Sequence, residues 1–221
     1  KNIILILFLL LLIIAAVIVY WQRDNISALI NATKYSSEDL ETKIDSNREN
    51  LQEELKNYTT KSIRDISVED EQKLLMGEIT LEEVLKKYNL PSGEKTDGNA
   101  ATTNNANTID DAVNIAVSEI NVLKAEFISE LGQIVNKAKV QYVALPKEKQ
   151  NGEAIKQIVL DNIDYVAEIE KQYDNEVDDV LSNLKSELTR LNGDTAIVQT
   201  LRDSYDAEIE MKKSYYMNLF Y

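Results

Sequence analysis

Hydrophobic and polar positions divide this chain into an apolar leading segment and a long series of apolar stripes set among charges. Residues 3–21 contain no charged side chain, and fifteen of these nineteen positions are Leu, Ile, Val or Phe. At ~1.5 Å per residue they span about 28 Å, close to the ~30 Å hydrocarbon core of a bilayer. Each such residue near a helix centre favours insertion by roughly 0.3–0.6 kcal/mol, so the sum is several kcal/mol. Ile3, Leu7, Leu11, Ile14 and Ile18 are therefore expected in lipid, with Tyr20 and Trp21 at the headgroup layer. Val19, Tyr20 and Trp21 are bulky where a cleaved signal peptide needs small residues. Residues 1–24 thus predict an uncleaved transmembrane signal-anchor with its flank, in a single-pass membrane protein. No Met precedes Lys1, and further residues upstream are expected. The large acidic part beyond the anchor is expected to be extracytoplasmic.

Over residues 25–66 the pattern predicts one long polar helix. Ile30, Ile44, Leu51 and Tyr58 recur on a seven-residue ladder, with Ser37 filling its gap; Ile26, Thr33, Leu40 and Asn47 form a second ladder. Such heptads suit either a coiled-coil stalk between chains or a helix packed on its own chain. Residues 67–90 predict a short helix pair, with Thr80 and Glu83 spaced as a capping box, Ser67 and Asp70 as a weaker cap, and Gly77 at a left-handed terminus. Its apolar set, including Leu74, Leu75, Val84 and Leu85, is too small to stand alone and is expected to rest on a neighbour.

Residues 91–107 are mostly Gly, Ser, Thr, Asn and Ala with almost nothing to bury, and predict a flexible linker. Residues 108–221 predict an antiparallel three-helix bundle. Its first helix, capped by Thr108, carries Val113, Ala116, Ile120, Leu123, Phe127, Leu131 and Ile134 at spacings of three and four. The second carries Val166, Ile169, Tyr173, Val177, Val180, Leu184 and Leu188, and ends at Asn192-Gly193. The third, with Asp194 as its cap, carries Ile197, Leu201, Tyr205, Ile209, Tyr216 and Leu219. The fold class expected is all-α.

Charge narrows the set of partners. The part beyond the anchor holds 38 acidic and 23 basic residues, a net charge of −15. A surface of that sign is repelled by phosphate backbones, so nucleic-acid binding is not expected. The chain has no Cys and no His. That removes the usual zinc, copper, haem and iron–sulfur ligand sets, along with every Ser-His-Asp or Cys-His nucleophile. The second long helix crowds Asp161, Asp164, Glu168, Glu170, Asp174, Glu176, Asp178 and Asp179. They lie on a polar helix face and lack the spacing of a calcium loop, so a solvated face is expected. No phosphate loop, dinucleotide fingerprint or nucleophile elbow occurs. Hence no catalytic residue, cofactor, metal or small-molecule substrate is expected, and the chain reads as non-enzymatic.

At the carboxyl end, Tyr215, Met217, Phe220 and Tyr221 are candidate partner contacts, since aromatic and Met side chains dominate interface energetics. Lys212 and Lys213 suit a helix C-terminal dipole. Leu145-Pro146-Lys147, the run Asp194-Thr195-Ala196-Ile197-Val198, and Lys212-Lys213-Ser214-Tyr215-Tyr216 resemble uncharacterised single-pass, coiled-coil-like envelope proteins of low-GC Gram-positive bacteria. The resemblance covers roughly the last half of the chain and implies a bacterial envelope setting without a known activity. The expected role is a membrane-tethered helical scaffold or protein-interaction module. Its partners would be the lipid bilayer and another protein, or a second copy, met through helix packing. The alternative is the ligand-sensing bundle of an envelope signalling system.

Overall fold

The computed structural model describes residues 34–61, 65–91 and 106–218 of the chain. These residues are all-α: α1 (Ser37–Leu55), α2 (Val68–Leu75), α3 (Leu81–Tyr88), α4 (Ile109–Val143), α5 (Gly152–Arg190) and α6 (Ala196–Asn218), with a short 3-10 turn at Lys147–Lys149. No strand occurs among them. No described helix is long and apolar enough to cross a membrane. The expected anchor lies outside the described residues, as does most of the expected linker. The described residues divide into two compact units, one within 52–201 and the other joining 34–51 with 202–218.

The unit over 52–201 is organised around α4. Thr108 caps it by accepting from the Asp111 amide, and Asn151 caps α5 by accepting from Ala154 N. The two helices have 35 and 39 residues, on the order of 50–60 Å at ~1.5 Å each. They form an antiparallel hairpin in which Gly193 faces Ile109 and Tyr173 faces Phe127. Val113, Ala116, Ile120, Phe127 and Ile134 on α4, with Ile169, Tyr173, Val177, Leu184 and Leu188 on α5, are buried as the apolar spacing requires. Leu181 is buried where the sequence pattern pointed to Val180, which is half-buried. The Phe127 and Tyr173 rings meet edge to face with centroids 5.6 Å apart, a geometry worth about 0.5–1.5 kcal/mol beyond the area buried.

The helix pair covers a second face of α4. Along it Asn114 reaches Thr59, Lys124 reaches Asp65, and Gly132 lies under the Leu75 carbonyl. Thr59, Asp65 and Leu75 therefore follow α4 in the direction of α4 itself. The caps are those the sequence implied: Ser67 accepts from Asp70 N, and Thr80 and Glu83 complete a capping box. Gly77 has φ 72°, so the Glu78 amide turns back to the Lys73 carbonyl and closes α2. Leu74, Leu75, Val84 and Leu85 are buried, resting on the neighbour that so small a pair needs.

The expectation of one helix through residue 66 is corrected: α1 ends at Leu55. Beyond it Thr59 and Thr60 divert to the start of α4. The Thr59 hydroxyl accepts from Asn114 Nδ2 at 2.8 Å, and the Thr60 amide donates to Asp110 Oδ1 at 2.8 Å. An amide committed to a distant carboxylate cannot close a helical turn. Asn192, with φ 55°, takes the left-handed position at the end of α5, and the Gly193 amide turns back to the Leu188 carbonyl.

In the second unit, two of the heptad positions of α1, Leu40 and Ile44, are buried, whereas Ser37, Asn47 and Leu51 are half-buried. Leu40 and Ile44 are 1% and 0% exposed. Asn47 Nδ2 donates to the Ser204 carbonyl at 2.9 Å, and Arg48 to Glu208. The stripe thus packs on α6 of its own chain, the second of the two arrangements the heptads allowed.

Candidate functional site

Two places concentrate polar chemistry that the fold holds in position. The first is an ionic cluster between α1 and α6. Glu208 Oε1 accepts from Arg48 Nε at 2.9 Å, from Arg48 Nη2 at 2.6 Å and from Lys212 Nζ at 2.7 Å. The three side chains are 3%, 9% and 3% exposed for Glu208, Arg48 and Lys212. Spacing puts Glu208 and Lys212 one turn apart on α6, on the stripe that also carries Leu201, Tyr205 and Tyr215. Lys212, read from the sequence as a complement to the helix dipole, is thus a buried partner of a carboxylate. Tyr215 is corrected too: at 3% exposure it lies inside the fold, because its position continues that buried stripe. Only the backbone of Met217 is described, and Phe220 and Tyr221 lie outside the described residues, as do the expected anchor positions Ile3, Leu7, Leu11, Ile14, Ile18, Tyr20 and Trp21.

The second place is the polar side of the α2–α4–α5 unit. Lys124 Nζ and Asp65 Oδ1 form a pair at 3.1 Å, with side chains 6% and 11% exposed. Asp70 accepts from Tyr88 Oη at 2.5 Å and Lys87 Nζ at 2.6 Å, tying α2 to α3. Burial works to raise the Asp70 carboxyl, but the hydrogen bonds from Lys87 and Tyr88 outweigh it and hold the group below its ordinary range. A carboxyl depressed in the folded state stabilises above its unfolded pKa of ~3.9 and loses that contribution as pH falls through the folded value. Asp70→Asn is therefore expected to cost about 1–3 kcal/mol at neutral pH. In urea titrations at several pH values, the gap between wild type and variant should close below about pH 4. A gap independent of pH would show that the charge is not what binds the pair.

Between α3, α4 and α5 lies a notch of about 130 Å³ lined by Leu81, Glu126, Ser129, Glu130, Gln133 and Tyr173. Tyr173 Oη donates to Glu130 Oε1 at 2.9 Å, and burial followed by that bond pushes the phenol well above its usual range. The phenol stays protonated at neutral pH and serves as a donor, with no nucleophilic character. Small-molecule sites run to ~300–1,000 Å³, and the notch lies below that range. Of the α5 carboxylates, Asp161, Glu168, Asp178 and Asp179 are exposed, and Asp161 and Glu176 accept from Gln157 and Gln172. Among the described residues no three carboxylates gather as a metal-binding group.

Asn114, Asn121 and Lys124 are buried on the α4 face toward the helix pair, a role the sequence reading did not assign. Their signal was a polar stripe at positions 114, 121 and 124 falling between apolar ones on the same helix. Asn114 and Lys124 fasten α4 to Thr59 and Asp65, while the buried Asn121 Nδ2 has no hydrogen-bond partner among the described residues. Comparison with known proteins finds no match to a family model, a curated protein or a solved structure.

Proposed function

We propose that the chain is a membrane-tethered, extracytoplasmic helical scaffold or protein-interaction module without enzymatic activity. In this reading residues 1–24 anchor it, residues 25–66 connect the anchor to the fold through α1, residues 67–90 brace the fold, residues 91–107 are a linker, and residues 108–221 supply the three long helices of the presented part. The envelope of a low-GC Gram-positive bacterium is the setting proposed. The observation that carries the reading is the α4–α5 hairpin, on the order of 50–60 Å long, with a buried apolar seam and with apolar side chains exposed far from its base. Val140 and Val143 are 69% and 66% exposed and Tyr165 is 53%. Exposed apolar groups grouped at one end of a rigid element suit docking of a protein surface. The sensing alternative calls for a ligand-sized cavity between helices, and the notch beside Tyr173, at about 130 Å³, lies below the ~300–1,000 Å³ of such sites.

Two measurements test the proposal. Alkaline carbonate washing of membranes is expected to leave the full-length protein in the pellet. A photo-crosslinking side chain in place of Val143, used in intact membranes, is expected to trap one discrete protein adduct. Release by carbonate would overturn the tether, and an adduct pattern unchanged when the crosslinker is moved to exposed Asp203 would overturn the interaction surface.

A further inference from the structure

The distal end of the α4–α5 hairpin reverses the charge of the molecule that carries it. Residues 137–149 hold Lys137, Lys139, Lys147 and Lys149 against Glu148, a net charge of +3 in a chain of net −14. All five side chains are exposed, and between them Val140 and Val143, with Lys139 and Ala144, line a shallow apolar hollow. One face of α5 presents the complement. Tyr165 is more than half exposed, with exposed Asp161 and Glu168 one turn to either side of it; positions i, i+4 and i+7 share one helix face. The Asp161 carboxylate, which accepts from Gln157, retains further acceptor capacity.

We propose that two copies of the chain associate through this end of the hairpin, Tyr165 of each copy seating on Val140 and Val143 of the other. Asp161 and Glu168 then face Lys137 and Lys139 across the rim. A two-fold axis makes the contact twice, the same patch serving both copies. Tip-to-tip contact is disfavoured because +3 meets +3, whereas residues 157–187 of α5 carry nine acidic and two basic residues. The inference rests on the interaction-module reading and names the partner as the chain itself.

The test uses the full-length chain in micelles of an uncharged detergent, with sedimentation velocity as the readout. Wild type is expected to dimerise at low salt and to weaken by about tenfold or more at high salt, since rim charges are screened. Reversing the tip (Lys137→Glu, Lys139→Glu, Lys147→Glu, Lys149→Glu) and reversing the face (Asp161→Lys, Glu168→Lys) are each expected to abolish dimers. Mixing the two variants should restore them as heterodimers. Circular dichroism on each variant confirms retained helix, which exposed positions allow. A wild type monomeric at every salt concentration, dimers that survive tip reversal, or a mixture that stays monomeric would each overturn the proposal. So would hydrogen-exchange protection of residues 137–149 in phosphatidylglycerol nanodiscs but not phosphatidylcholine ones while the chain is monomeric, which assigns the tip to lipid. A single discrete crosslink to a different protein alongside a monomeric chain would sink this inference and leave the scaffold reading standing.

Discussion

Replacing Glu208 with alanine is expected to destabilise the unit built from α1 and the latter part of α6 by about 3–5 kcal/mol. The carboxylate receives three hydrogen bonds at 2.6–2.9 Å from two cations, and all three side chains are under 10% exposed. Alanine removes the shared anion and leaves Arg48 and Lys212 without it where water is largely excluded. The cost is dominated by that desolvated positive charge, not by the intrinsic worth of the ion pairs. A second variant separates the two. Arg48→Met, Glu208→Leu and Lys212→Met together remove charge and desolvation at once, and should be near neutral or stabilising. Hydrogen exchange across 37–51 and 202–215 reads the effect. Loss of protection in Glu208→Ala with recovery in the triple variant is expected. Equal loss in both would mean that the cluster specifies the helix pairing as well as being tolerated by it.

Gly132→Ala is expected to destabilise the other unit by about 1–3 kcal/mol. Alanine in a helix interior ordinarily gains up to ~1 kcal/mol over glycine, so the sign is informative. Here a Cβ would lie 2.7 Å from the Leu75 carbonyl oxygen and 3.2 Å from that of Leu74. Both acceptors are backbone, fixed by the closure of α2 at Gly77, and α2 must lift from α4 to make room. Gly193→Ala is the control. Its Cβ would meet the Ile109 Cδ1 atom at 2.9 Å, the far end of a side chain that can rotate, and a loss under ~1 kcal/mol is expected. Urea unfolding should rank wild type, Gly193→Ala and Gly132→Ala in falling stability. A neutral or stabilised Gly132→Ala would show that α2 does not rest on α4 in solution.

Local signals in the sequence carried most of the helix boundaries. Thr108, Ser67 with Asp70, and Thr80 with Glu83 cap where their spacing said they would, because a cap is decided within four residues. The apolar stripes of α4 and α5 were legible for the same reason, since period alone fixes which positions share a face. What escaped notice depended on partners far along the chain. Asn114 and Lys124 look solvent-facing until residues 59–75 are laid over them. Arg48 and Glu208 are 160 residues apart, and nothing local distinguishes them from the other charges of an acidic surface. The end of α1 was misjudged because Thr59 and Thr60 leave the helix for contacts with Asn114 and Asp110 that no window of neighbouring residues contains. The exposed tip was written in the sequence as a local excess of lysine, but its meaning depends on Val140 and Val143 having no cover.

The double coverage of α4 grades the hairpin from root to tip. As far as Gly132, the helix is clasped by α5 on one side and by the α2–α3 pair on the other; past Asn136 the pair no longer reaches it, and Lys137, Lys139, Val140, Gln141 and Val143 are all exposed. Opening a turn exposes less apolar surface where fewer neighbours cover it, so the energy needed falls along the helix. The molecule is in this respect a stiff cantilever with a compliant end: the far turns can adjust to what they meet, while the braced root holds the reach of the arm constant.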